Sequence, residues 1–93
     1  MRVEWSQAAR RDILRITAFY RAIDPQLSIQ MRLRIEAAPE DLLDKWTIAP
    51  VVGGETRKWK IKRTPLLLFL VADGRTLGIK GVKHAREDWA DMF

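Results

Sequence analysis

Arg57 to Val82 reads RKWKIKRTPLLLFLVADGRTLGIKGV, and the period of its apolar residues decides the fold. In the first part Arg57, Trp59 and Ile61 fall on one face of an extended chain and Lys58, Lys60 and Lys62 on the other, the two-residue period of a half-covered strand. Arg63-Thr64-Pro65 turns the chain. Leu66 to Ala72 is an unbroken apolar run, which suits a central strand covered on both faces. Asp73-Gly74 marks a tight turn. Thr76 to Val82 then alternates again, with Leu77, Ile79 and Gly81 set against Thr76, Gly78 and Lys80. The stretch predicts three antiparallel strands in a meander.

Upstream the period changes to that of a helix. Val51-Val52-Gly53-Gly54 reads as a loop entering the first of those strands. Before it, Leu27, Met31, Ile35, Ala38, Leu42 and Trp46 recur at helical spacing behind Asp24-Pro25, an N-cap residue followed by a proline where its missing N–H costs nothing. Pro39 lies inside that pattern and predicts a kink, or a break that restarts at Pro39-Glu40-Asp41. An earlier amphipathic helix starts from the N-cap Ser6, burying Ala9, Ile13, Ile16, Tyr20 and Ile23 while Arg10, Arg11, Asp12, Arg15 and Arg21 fill the other face. The short Asp24-Pro25 link makes the two helices a hairpin. Arg2-Val3-Glu4-Trp5 alternates as a first strand with Val3 and Trp5 inward. The tail from His84 to Phe93 is expected to form a short helix or an arm.

The predicted architecture is α+β, in the order β-α-α-β-β-β: a helical hairpin packed on one face of a small, mainly antiparallel sheet. Residues 1–93 are expected to form one domain. Ile13, Ile16, Ile35, Leu42, Trp59 and Leu68 should share its core.

Composition narrows the chemistry. There is no cysteine and one histidine, so disulfides and thiolate sites are excluded and a histidine-built metal cluster is not expected. No cofactor is implied. No apolar run reaches the length of a membrane span and no export signal opens the chain, so a soluble, cytoplasmic protein is expected. The formal charge of +5 is unevenly distributed. Between Arg57 and Arg86 nine basic residues face one acid, a net +8, whereas the rest of the chain has eight basic and eleven acidic residues, a net −3. A field of that sign attracts nucleic acid or an acidic protein.

A set of short motifs in order gives these elements a family likeness. Ala9, Asp12-Ile13 and Ile16 in the first helix, Asp24-Pro25 at the hairpin turn, Gly54-Glu55-Thr56-Arg57 before the first meander strand, and Val82-Lys83-His84-Ala85-Arg86-Glu87-Asp88-Trp89 at the end together resemble the RelE/ParE superfamily of type II toxins. The resemblance covers almost the whole chain. It implies a toxin encoded beside an acidic antitoxin that wraps it into a hetero-oligomer, and two competing activities. RelE-like members cut messenger RNA on the ribosome; ParE-like members poison DNA gyrase and are not hydrolases.

RNA cleavage by a 2′-hydroxyl needs a base, an acid for the leaving oxygen and cations for the charged phosphorane. Trp59-Lys60-Ile61-Lys62 resembles the corresponding stretch of the RNase branch, so Lys60, Lys62, His84 and Arg86 are the catalytic candidates on that reading. They should then converge on one concave face of the sheet. Two features depart from that branch: Leu66-Leu67-Leu68 stands where its arginine opens the next strand, and the tail has no tyrosine. The ending from Val82 to Trp89 is closer to ParE, which places gyrase first and makes Arg57, Lys83, Arg86 and Trp89 the candidate target-binding residues.

Structural readings stand beside these. Outward lysines are commonly a solvated strand face that discourages edge pairing. His84 fits a surface or capping role, Arg57 fits a structural arginine bonded to backbone carbonyls, and the tryptophans at 5, 46 and 59 fit the core. Trp89, in the tail, is the aromatic most easily spared for a partner. A third function class, a basic nucleic-acid-binding module without toxicity, would need several exposed aromatics on the sheet.

Overall fold

The computed structural model describes residues 1–92, so Phe93, assigned above to the tail, lies outside the described residues. The elements are β1 (Arg2–Trp5), α1 (Gln7–Ile23), α2 (Pro25–Leu42), β2 (Val51–Gly53), β3 (Thr56–Lys60), β4 (Leu66–Ala72) and β5 (Thr76–His84), with 3₁₀ turns at Trp46–Ile48 and Ala90–Met92. The five strands form one sheet in the order β1-β5-β4-β3-β2. β1 runs parallel to β5 and the other neighbours are antiparallel.

The expected α+β arrangement is the one observed, and local chemistry explains why. Ser6 Oγ accepts from the Ala9 N–H at 3.0 Å and starts α1; Asp24 does the same for α2 through the Gln26 N–H, with Pro25 at the first position. The helices are tied side by side by Ser28, whose hydroxyl donates to the Thr17 carbonyl at 2.7 Å. Ile13, Ile16, Ile35, Leu42 and Leu68 lie in one core with Leu66, Leu70, Leu77, Ile79 and Val82, and Trp59 packs against it half-buried. β4 is the middle strand and its first five residues are buried on both faces. Leu66, Leu68 and Leu70 face the helices, while Leu67 and Phe69 pack with Met92, Val52 and Trp89 on the second face.

Several expectations need correction. α2 does not restart at Pro39 but runs on to Leu42. Pro39 is fully buried one turn from the helix end, so one missing backbone bond is set against apolar burial. Val51–Gly53, expected as a loop, pairs with β3 as a short edge strand. β5 does not alternate to its end. A bulge leaves Phe69 opposite Gly81 and Leu70 opposite Ile79, making Lys80 the extra residue. Leu77, Ile79 and Val82 therefore share the core face, and Gly81 sits opposite Phe69 on the second face. Ile23, at the last turn of α1, is 64% exposed rather than buried. Leu14 and Phe19 on α1 and Ile29 and Leu33 on α2 are also more than half exposed. Among the described residues no helix is long and apolar enough to cross a membrane.

Candidate functional site

The sheet sorts the candidate residues by face, because cross-strand partners point the same way. Lys60 pairs with Leu67, on the second face; His84 pairs with Leu66, on the helix face. The two therefore leave the sheet on opposite sides. Lys60 Nζ donates to the Thr64 carbonyl at 2.9 Å. Lys62 is not on the strand at all, since β3 ends at Lys60. It sits in the turn and lines a shallow recess with Arg34, Asp41, Trp59 and Ile61 on the helix side. The turn is made by Thr64, whose N–H and hydroxyl both reach the Ile61 carbonyl, and by Arg63 at φ 61°. The expected outward row of Lys58, Lys60 and Lys62 is thus broken after Lys60.

His84 borders an open cleft of about 490 Å³ with Arg15, Ile16, Phe19, Tyr20, Leu66 and Glu87. Its Nδ1 accepts the Arg86 N–H at 3.2 Å, and its own N–H donates to Glu87 at 2.8 Å. This is a capping arrangement at the end of β5. Arg86 is exposed. Burial alone would raise the Glu87 carboxyl, but the His84 N–H and the Arg15 guanidinium, 3.3 Å away, hold it below the usual carboxylate range.

Arg57 has the structural role weighed for it. Its guanidinium donates to the Thr47 and Ala49 carbonyls at 3.1 and 2.8 Å and stacks 5.0 Å from the Trp46 ring centre, pinning the crossing between α2 and the sheet. Lys83 is 3.5 Å from Asp12, with both side chains mostly buried. Trp89 is half-buried on the second face, 5.5 Å from Phe69, with the Lys58 ammonium 5.0 Å from its ring centre. The tail is therefore a packed strap across the sheet.

Three residues outside the candidate set organise these contacts. Asp12, assigned above to the polar face of α1, is buried and accepts the Val82 N–H at 2.9 Å. Its place next to Ile13 on the border of the apolar stripe is the signal that could have found it. Lys80 reaches the Thr56 hydroxyl at 2.9 Å and the Met92 carbonyl at 2.7 Å, fastening the strap; a strict two-residue period cannot show this, because the bulge makes it. Glu87 was seen only as part of the closing motif.

A family model described as the ParE toxin of the type II toxin–antitoxin system, parDE, matches residues 3–89. The chain belongs to the ParE toxin family. The toxin is also similar to a solved structure titled "Chromosomal ParDE TA system from P. aeruginosa", with a TM-score of 0.80 at 17% identity over 90% of this chain and 95% of that one. At that identity the likeness speaks for the fold. No curated protein matches the toxin by sequence. A ParE toxin of a parDE system implies an antitoxin partner.

Proposed function

We propose that this toxin poisons DNA gyrase and is neutralised by an acidic antitoxin. The observation that carries the reading is the opposite-face placement of Lys60 and His84. A general acid–base pair must reach one phosphate and one hydroxyl within hydrogen-bond distance. Residues on two sides of a sheet do not meet that condition, and Lys62, in the turn itself, lines a recess on the helix side, away from the face by which Lys60 leaves the sheet. Leu66, at the position where the RNase branch has its arginine, is fully buried. Arg86 and the strap residue Trp89 remain as contacts for a protein target, where an aromatic and an arginine are typical anchors.

The acidic antitoxin follows from charge and exposed apolar area together. The +8 segment from Arg57 to Arg86 provides attraction, and Leu14, Phe19, Ile29 and Leu33 provide apolar anchors on the hairpin. Raising salt should slow association markedly while dissociation changes little; salt-insensitive association would contradict the charged-surface account. For the target, induced expression should give DNA-damage signalling and filamentation while translation continues. An immediate stop in translation with cut transcripts would instead establish ribosome-dependent RNA cleavage.

A further inference from the structure

The strands from β2 to β5 contain no acidic residue. Lys58 and Lys60 share register with Phe69 and Leu67 on the second face of the sheet, and Lys80, the extra residue of the bulge, turns its ammonium there to the Met92 carbonyl. The tail lying on this face has the opposite charge: from Glu87 to Met92 its ionisable side chains are Glu87, Asp88 and Asp91. Its apolar residues Trp89 and Met92 pack with Leu67, Phe69 and Val52, and Gly81 leaves the space that Met92 enters. An acidic segment with two apolar anchors is thus seated on a basic sheet face.

The tail does not use the charge of its seat. Among the described residues no carboxylate is within ion-pairing distance of Lys58, Lys60 or Lys80. Lys80 is held by the Met92 carbonyl and the Thr56 hydroxyl, Lys60 by the Thr64 carbonyl, and Lys58 lies over the Trp89 ring. These are neutral partners, which hold a cation less strongly than a carboxylate does. The tail's acids are turned elsewhere. Glu87 meets Arg15 and the His84 N–H, Asp88 accepts the Ala90 N–H, and Asp91 is exposed. A segment that brought carboxylates to Lys58 and Lys80, with apolar residues at the places of Trp89 and Met92, would hold the face more tightly than the tail does.

We propose that this face is an acidic-peptide site occupied in cis by the tail, and that an acidic segment of the antitoxin takes it by displacing the tail. The inference rests on the acidic-antitoxin reading and adds to it the place and the competitor. The chemistry already seated there is a peptide's, and the face is built for one: Leu67 and Phe69 at its centre receive apolar anchors, and the lysines beside them receive carboxylates. Displacement also lifts Trp89 from Phe69. The segment that a protein target would meet then loses its packed form.

The test is fluorescence anisotropy of a labelled peptide with the sequence of residues 85–93, titrated with full-length toxin. Because the tail in cis competes with the peptide, Trp89→Ala, whose own tail has lost an anchor, should bind it roughly tenfold more tightly than wild type. Adding Lys58→Gln/Lys80→Gln to Trp89→Ala should weaken binding by about tenfold. Adding Arg10→Gln/Arg11→Gln, which removes the same charge from α1, should leave it nearly unchanged. Melting curves check that each variant is folded. Unlabelled antitoxin should release the bound peptide. Equal binding to wild type and Trp89→Ala, no binding to folded Trp89→Ala, or equal losses for the two charge-removing pairs would each overturn the proposal. An antitoxin that binds the toxin and leaves the peptide in place would overturn the displacement and leave the acidic-antitoxin reading standing. Salt-insensitive antitoxin association counts against that reading instead, so the two failures are distinguishable.

Discussion

The Asp12 carboxylate accepts the Val82 N–H at 2.9 Å, joining residues 70 positions apart. β1 accompanies β5 only as far as Ile79, and the next bond along that edge is from Ser6 to the Ile79 carbonyl. Beyond it the edge of β5 has no strand beside it, and α1 supplies Asp12 in place of one. Lys83 and Arg15 flank the carboxylate at 3.5 and 3.7 Å. Replacing Asp12 by alanine leaves a buried N–H without its acceptor and Lys83 without its partner. The expected loss is about 1 to 3 kcal/mol in a urea titration. Asp12→Asn keeps an acceptor and should recover part of it; equal losses for both variants would show that the acceptor is not what matters.

Gly81 makes room for the strap. A Cβ there would stand 2.5 Å from Met92 Cε and 3.0 Å from Asp12 Oδ2. The methionine end can move, but the carboxylate is held by Val82. Gly81→Ala should therefore displace Met92 and lower stability by about 1 to 3 kcal/mol, with a change in tryptophan emission. An unchanged spectrum and melting point would contradict the packed strap.

Acid should loosen the same strap. Glu87 is more acidic in the folded chain than its ordinary value of 4.5, so the stability it contributes is complete above that value and is lost as pH falls through the lower folded one. An acid titration followed by tryptophan emission should show this loss in wild type and a smaller one in Glu87→Gln. Identical acid limbs would remove Glu87 from the account.

The central strand carries the largest single penalty. Leu68 is fully buried between Trp59 on β3 and Val82 on β5, so Leu68→Ala should cost about 2 to 5 kcal/mol in denaturant unfolding. An unchanged midpoint would refute the two-sided burial of β4.

What the sequence showed was what depends on period and caps. The run from Leu66 to Ala72, the Ser6 and Asp24 caps and the two helical stripes each specify an element locally, and all were legible. The bulge at Lys80 and the end of β3 at Lys60 were not, because both are settled by register against β4, a relation between distant residues. The candidate site suffered most from this. One extra residue in β5 decides which side chains share a face, and with it whether Lys60 and His84 can meet. Asp12 shows the other limit: a buried carboxylate looks polar to any pattern until its backbone partner is known.

The most direct test of the central claim uses purified gyrase, supercoiled plasmid and ATP with added toxin, scoring linear DNA released after protein denaturation. The account predicts that linear plasmid accumulates with toxin, is suppressed by the antitoxin, persists in Lys60→Ala and is lost when the chain is cut before His84. Intact plasmid in every lane, with transcripts cleaved on purified ribosomes by wild type but not by Lys60→Ala, would contradict it.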